Sequence, residues 1–287
     1  MKIIRSLTAM MTWSERLRRE GVTIGFVPTM GALHAGHRAL IRAARLRCDA
    51  LVVSIFINPT QFGPTEDLAR YPRSPKKDRA LCRAEGVDVC FEPDSSALYP
   101  VGFQTTVAVP LIASRWEGEA RPHHFSGVAI VVAKLFGIVH PHLALFGQKD
   151  FQQAMLIQRL VKDLNMGVHI VVRPTVREQD GLAMSSRNVY LSKKERAIAV
   201  TLYKSLQAGA DAIRQGTTES ATIRAIMAAV IGQEPTMAID YLVVCDPLTL
   251  EPLTQLSSKA VLLGAVRLGS VRLIDNLVVT APLTRMR

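Results

Sequence analysis

Between residues 22 and 174 short apolar runs alternate with amphipathic segments, and this alternation constrains the fold more than any other feature of the chain. VTIGFVP (22–28), LVVSIFINP (51–59), VDVCFEP (87–93), LALF (143–146) and VHIVVRP (168–174) are apolar along their length and rich in β-branched residues. Continuous apolar runs of this length fit strands buried on both faces. The segments between them carry helical signals. Leu40, Ile41, Ala44 and Leu46 fall among arginines from about His37 to Cys48. Pro75 suits the first turn of a helix that stops at Gly86. Residues 127–139 and about Phe151–Leu164 supply two more. Strands and helices in strict alternation predict a Rossmann-like α/β fold, a doubly wound parallel sheet covered on both faces.

Beyond Pro174 the pattern changes. Ser192-Lys-Lys-Glu195 has the spacing of a capping box and opens a long helix rich in Ala, Leu and Lys, with Gly216 as its stop. A second helix covers about 220–231, and short strands follow at Tyr241–Cys245, Ala260–Val266 and Val271–Ile274. The expectation is two domains: 1–175, Rossmann-like, and 176–287, a smaller α+β domain acting as a lid.

Charge and composition narrow the function classes. The 287 residues are 48% apolar, enough to bury sizeable cores, and 35 Lys/Arg against 24 Asp/Glu give a formal charge of +11. That excess suits anionic partners, nucleotide phosphates included. Aromatics at 6% are too sparse for a single-strand stacking platform, so nucleic acid is not the expected partner. Cys48, Cys82, Cys90 and Cys245 form no Cys-x-x-Cys pair, which reads as reduced thiols in a cytoplasmic protein. The first twenty residues lack a signal-peptide pattern. The greasiest stretch, 127–146, is broken by Lys134, His140, Pro141 and His142 and reads as a buried helix and strand, not a membrane span.

In open α/β sheets ligands bind beyond the carboxyl ends of the strands, and four loops there carry unusual residues. PTMGALHAGH (28–37) follows the first run. Its His34 and His37 admit three readings: two metal ligands, a turn with incidental imidazoles, or a phosphate-handling loop. The metal reading lacks Cys or acidic partners, and i, i+3 faces zinc less well than i, i+4. In the phosphate reading Gly31 and Gly36 let backbone approach the ligand, and the following helix offers N–H groups to an anion. Asn58-Pro-Thr-Gln61 follows the second run; its amides suit hydroxyl and carboxylate groups of a small polar substrate, and Asn-Pro is also ordinary turn chemistry. In Gly147-Gln148-Lys149-Asp150, Lys149 brings a cation, Asp150 either faces a ligand or caps a helix, and Gln153 lies one turn in. Met184-Ser185-Ser186-Arg187 offers two hydroxyls and a guanidinium, a phosphate clamp or a solvated loop.

Together PTMGALHAGH, INPTQFGPTEDLARYPR, RPHHFSGVAIVVAKLFGIVHP, FGQKDFQQ and REQDGLAMSSRNVYLS resemble the pantoate–β-alanine ligase (pantothenate synthetase) family over most of the chain, with YLVVCDPLTL and RLIDN as softer matches. H-x-G-H and MSSR are also similar to the two signatures of the wider nucleotidyltransferase superfamily, with Arg187 where a lysine often stands. The resemblance implies ATP-dependent condensation of (R)-pantoate with β-alanine through an enzyme-bound pantoyl adenylate, giving pantothenate, AMP and pyrophosphate. It implies ATP contacts from Met30, Gly31, Ala32, Leu33, His34, Ala35, Gly36 and His37, from Gly147, Gln148, Lys149 and Asp150, and from Val176, Met184, Ser185, Ser186 and Arg187. His34, His37, Lys149 and Arg187 would be the catalytic set, with His37 as proton donor. Gln61, Gln153 and Asn58 would hold pantoate and β-alanine, with Arg121 and His124 in support. Mg²⁺ is implied as arriving with ATP, held mostly by phosphates and water, with Asp78 as an outer-sphere partner; no metal held by the protein alone is implied. A homodimer is implied as well. Two other readings share some features: a nucleotidylyltransferase that keeps AMP on its product, and a nucleic-acid-binding module motivated by the charge.

Overall fold

The computed structural model describes residues 1–281. It divides into two compact units, Met1–Gln148 with Gln152–Pro174, and Lys149–Phe151 with Thr175–Arg287. Residues 149–151 thus group apart from the strand they follow, a feature absent from a simple division into 1–175 and 176–287. The last six residues of the expected 176–287 domain lie outside the described residues.

The first unit is a six-stranded sheet in the order β1-β4-β3-β2-β5-β6, with every pairing parallel. Its strands are β1 (Lys2–Ile4), β2 (Ile24–Thr29), β3 (Ala50–Ile55), β4 (Val89–Phe91), β5 (Leu143–Gly147) and β6 (His169–Arg173). The crossovers carry α1 (Leu7–Arg19), α2 (Ala35–Arg45), α3 (Pro75–Ala84), the one-turn helices α4 (Ser95–Leu98), α5 (Pro110–Ala113) and α6 (Glu117–Ala120), then α7 (His124–Val139) and α8 (Phe151–Asp163). The expected doubly wound α/β fold is observed. Strand order runs one way through β2, β3 and β4 and the other way through β5 and β6, so winding reverses between β2 and β5. At such a switch point the loops after two adjacent strands diverge and leave a crevice. Here those loops are the ones that follow Thr29 and Gly147.

Both faces of the sheet are packed. Val27, Leu51, Val53, Leu143 and Leu145 meet Ile41 and Ala44 of α2 and Cys82 of α3. Phe136 of α7 meets Phe26 and Phe146 edge-on at 6.2 and 6.5 Å between centroids, a favoured aromatic geometry. Some boundaries differ from expectation. β1 and α1 stand where no element was anticipated, and α7 begins three residues early. α2 begins at Ala35 rather than His37 because His34 caps it.

In the second unit α10 (Thr201–Arg214) and α11 (Ser220–Ile231) cover one face of an antiparallel sheet, β7 (Met237–Cys245), β8 (Lys259–Leu268) and β9 (Val271–Thr280), ordered β7-β8-β9. The Ser192–Glu195 capping box is present and opens α9 (Lys193–Ala199), but the expected single long helix breaks at Val200. The strands are longer than expected: β8 and β9 pair without interruption from Leu268↔Val271 to Lys259↔Thr280. Among the described residues no helix is long and apolar enough to cross a membrane.

One close approach fixes the edge of the site. Between β3 and α3 the 3-10 turn Pro59–Gln61 lies against α7, where a Cβ on Gly127 would fall 2.3 Å from the carbonyl oxygen of Thr60. Only glycine lets helix and turn meet at this distance. Gly127→Ala is therefore expected to lower stability by about 1–3 kcal/mol, the usual range for overpacking, measured as a shift in the urea midpoint. An unchanged midpoint would mean that the turn yields freely.

Candidate active site

β2 ends at Thr29, whose hydroxyl donates to the Ser54 carbonyl at 2.7 Å and accepts from the Gly31 amide at 3.2 Å. The chain then takes two left-handed residues in succession, Gly31 at φ +82° and Ala32 at φ +49°. An alanine in this region is costly unless its surroundings impose it. Asp78, 2% exposed in the first turn of α3, supplies the constraint. Its carboxylate accepts from the amides of Ala32 at 3.0 Å and Leu33 at 2.8 Å, and from the Ser74 hydroxyl at 3.0 Å. Asp78 therefore acts as a clamp on the loop.

The histidines complete this arrangement. His34 is the N-cap of α2; its Nδ1 accepts from the Gly36 amide at 3.1 Å, and His37 Nδ1 accepts from the His34 amide at 3.3 Å. This is a capping box with imidazoles in place of Ser and Glu, and it explains the spacing of three. Since both Nδ1 atoms accept, each neutral ring carries its hydrogen on Nε2. The ring centroids lie 4.1 Å apart. One expectation changes: the amides of Gly31, Ala32, Leu33, His34 and Gly36 all have partners within the protein, so they are not free donors for an anion.

The second loop is built around Asn58, 1% exposed. Its Nδ2 donates to Gln61 Oε1 at 3.2 Å and to the Gly127 carbonyl at 2.9 Å. Its Oδ1 accepts from the hydroxyls of Thr60 at 2.9 Å and Tyr99 at 2.8 Å. Burial pushes the Tyr99 phenol up, keeping it protonated as a donor. These four bonds use both hydrogens and both lone pairs of the Asn58 amide. Asn58 was expected beside the substrate; its observed work is to orient Gln61. The Gln61 Nε2 points to Met30 Sδ at 3.2 Å, which joins the first two loops. The Gln61 carbonyl accepts from His124 Nδ1 at 3.0 Å and from Arg121 at 3.4 Å, and Arg121 also makes a bidentate pair with Glu66.

After β5 the 3-10 turn Gln148–Asp150 runs directly into α8, and Lys149 Nζ lies 3.7 Å from Asp150 Oδ1. Gln153 is half-buried in the first turn of α8. Its neighbour Gln152, overlooked in the sequence, is buried and holds the carbonyls of Ile112 and Arg115 and the amide of Glu117, tying down the short helices α5 and α6. The doubled glutamine was the available signal; nothing local distinguished the clamp from the ligand candidate.

In the second unit the Met184 amide donates to the Val176 carbonyl at 2.9 Å, and Arg177 pairs with Ala183 across a short hairpin. Ser185 caps the 3-10 turn Ser186–Tyr190 by accepting from the Arg187 amide at 3.2 Å. Met184 to Arg187 are half-buried on this ordered turn. Among the described residues no group of three or more His, Cys, Asp or Glu is arranged to hold a metal ion.

The model of the pantoate-beta-alanine ligase family matches residues 2–278. The chain belongs to the pantoate–β-alanine ligase family. With the family comes the reaction class expected from the motifs: a ligase that joins pantoate to β-alanine. The chain is 49% identical over 276 residues to a pantothenate synthetase of Desulfatibacillum aliphaticivorans, covering 96% of this chain and 98% of that one. It superposes on the crystal structure of pantothenate synthetase from Thermus thermophilus with a TM-score of 0.92 at 45% identity, covering 96% and 99%. A pantoate-beta-alanine ligase from Francisella tularensis, complexed with beta-gamma ATP and beta-alanine, matches with a TM-score of 0.80 at 34% identity, covering 96% and 97%.

The clamp of this ligase's histidine loop can be tested directly. Asp78→Asn keeps the volume but turns an amide donor toward a backbone N–H. It is expected to destabilise by about 1–3 kcal/mol, the cost of a buried unsatisfied donor, and to slow the ATP-dependent step more than it weakens pantoate. Chemical denaturation and initial rates at varied substrate check both; unaltered stability and kinetics would show that the loop holds its shape without the carboxylate.

Proposed function

We propose that the ligation runs in two steps through an acyl adenylate. The pantoate carboxylate attacks the α-phosphorus of ATP, forming pantoyl adenylate as the bond to pyrophosphate breaks. The β-alanine amine then attacks the acyl carbon, an amide forms, AMP leaves and the amine gives up a proton. The observation that carries this reading is the reciprocal histidine cap at the switch point, which engages both Nδ1 atoms and holds the two ring centroids 4.1 Å apart. Fixed donors aimed at developing phosphate charge are the largest single source of stabilisation in such transfers.

His37 Nε2 is the proposed proton donor toward the departing pyrophosphate oxygen, and His34 donates beside it. Lys149 and Arg187 add positive charge. Met30 to His37, Gly147 to Asp150, Val176 and Met184 to Arg187 are the proposed ATP contacts, several of them through side chains because their amides are engaged. Gln61 and Gln153 are proposed to bind pantoate, with Asn58 acting through Gln61. Support comes from the motif match and from the Francisella relative complexed with beta-gamma ATP and beta-alanine. Mg²⁺ fits this donor set only as an ion carried by the triphosphate and water, where it would neutralise charge. A cytoplasmic homodimer is the proposed state of the protein, and sedimentation velocity reads the assembly.

The deciding experiment omits β-alanine. With ATP and pantoate alone the protein is expected to retain a bound adenylate and to catalyse pantoate-dependent exchange of pyrophosphate into ATP. Absence of pantoate-dependent pyrophosphate exchange when β-alanine is omitted would sink the adenylate route. His37→Ala is expected to slow that exchange by roughly 10²–10⁴, the range for an acid–base group; near wild-type exchange would remove its role. Gln153→Ala is expected to raise the pantoate KM far more than the ATP KM, and equal losses would move Gln153 out of the acid pocket.

A further inference from the structure

RLIDN (272–276) places two polar residues, Asp275 and Asn276, in the interior of β9, paired with Gly264 and Leu263 of β8. They are 5% and 2% exposed. Polar groups buried in a strand need partners other than the ladder, and theirs come from distant stretches of chain. Both Asp275 oxygens take the guanidinium of Arg177, at 2.6 and 2.9 Å, and Oδ1 also accepts from the Asn276 amide at 2.8 Å. Arg177 donates further to the Gly181 carbonyl at 3.0 Å and lies 3.7 Å over the Tyr203 ring. It is thereby fixed at the base of the hairpin that leads into Met184–Arg187. Asn276 reaches elsewhere: its Nδ2 donates to the carbonyl of Lys149 at 2.9 Å. Adjacent residues of one strand therefore hold two segments of the second unit, the Lys149 turn by its backbone and the Arg177–Arg187 hairpin through the Arg177 side chain.

We infer that Asp275–Asn276 is the positioning element of the ATP-dependent step, with Asn276 setting the Lys149 ammonium through its backbone and Asp275 setting the Arg187 turn through Arg177. This rests on the proposed role of Lys149 and Arg187 in handling ATP. Asp275 and Asn276 act through Arg177 and Lys149 and not on substrate directly. The anchor matters because the charge of Lys149 is useful only where the phosphate charge develops, and displacement by about 1 Å can cost on the order of 10²-fold in rate. A buried bidentate pair and a buried amide are suited to the task, since each fixes direction as well as distance.

The test uses the full-length protein and two readouts. Backbone amide exchange reads the anchoring independently of turnover. Asn276→Ala is expected to speed exchange in the 148–153 segment and leave 176–187 unchanged, whereas Asp275→Asn, which weakens the hold on Arg177, speeds exchange in 176–187. Exchange unchanged in both segments would overturn the inference. Kinetics reads the positioning. Asn276→Ala is expected to lower kcat of pyrophosphate exchange by roughly 10–100-fold, with the pantoate KM within about twofold of wild type. Because Asn276 acts through Lys149, the double variant Asn276→Ala/Lys149→Ala is expected to be no slower than Lys149→Ala alone. Additive losses would mean that Asn276 serves general stability and would overturn the inference. Near wild-type exchange in Lys149→Ala would instead remove the reading of Lys149 and this inference with it. An impaired Lys149→Ala beside an unimpaired Asn276→Ala would defeat the inference alone.

Discussion

The carboxylate of Asp78, buried against the loop that leaves β2, is the interaction on which the rest of the first unit's site depends. It takes two successive amides of a backbone that turns left-handed at Gly31 and again at Ala32. A buried carboxylate is tolerable only when donors surround it, and a strained backbone persists only when neighbours over-determine it. Each requirement is met by the other. The consequence for chemistry is specific. In many phosphate-binding loops the amides face the anion, but here an anion of the protein already occupies Ala32 and Leu33. The groups proposed above to meet a triphosphate are accordingly side chains: the imidazoles of His34 and His37, the Lys149 ammonium and the Arg187 guanidinium.

The two histidines follow from that arrangement. Their separation of three residues looked ambiguous as metal spacing and as turn chemistry. It is the spacing of a capping box, and the imidazoles perform both of its bonds. A residue that caps through Nδ1 cannot also present that nitrogen to a ligand, so the cap selects the tautomer of the neutral ring. Helix start, protonation pattern and proposed chemistry thus share one geometric cause.

The sheet was legible where its strands were long and apolar. β2, β3, β5 and β6 fall on the expected runs, overrunning them by no more than one residue, because parallel strands buried on both faces leave a continuous signal. β1 left none: Lys2–Ile4 is three residues long and gains its place only by pairing with β4, far along the chain. The break at Val200 carries no glycine or proline to announce it. β9 was cut short at Ile274 because Asp275 and Asn276 end an apolar run, and only partners 98 and 127 residues away make those side chains compatible with a buried strand. Long-range compensation of this kind has no local signature, and the same holds for Gln152 beside Gln153.

Asn58 shows how a side chain's own hydrogen bonds narrow the roles open to it. An amide next to Gln61 suggests a second substrate reader, yet saturation of all four of its hydrogen-bonding positions turns it inward. That saturation also decides how Gln61 faces. Asn58 donates with both Nδ2 hydrogens, so Gln61 must turn its oxygen toward Asn58 and its nitrogen toward Met30. A thioether is a weak acceptor, and a carboxylate or hydroxyl oxygen brought to the same place makes the better bond. The orientation of Gln61 is therefore fixed within the protein, while its nitrogen is left on the weaker acceptor, the proposed place for a substrate oxygen. Fixing the amide through its oxygen and leaving its nitrogen on sulfur lets the loop be rigid and receptive at once.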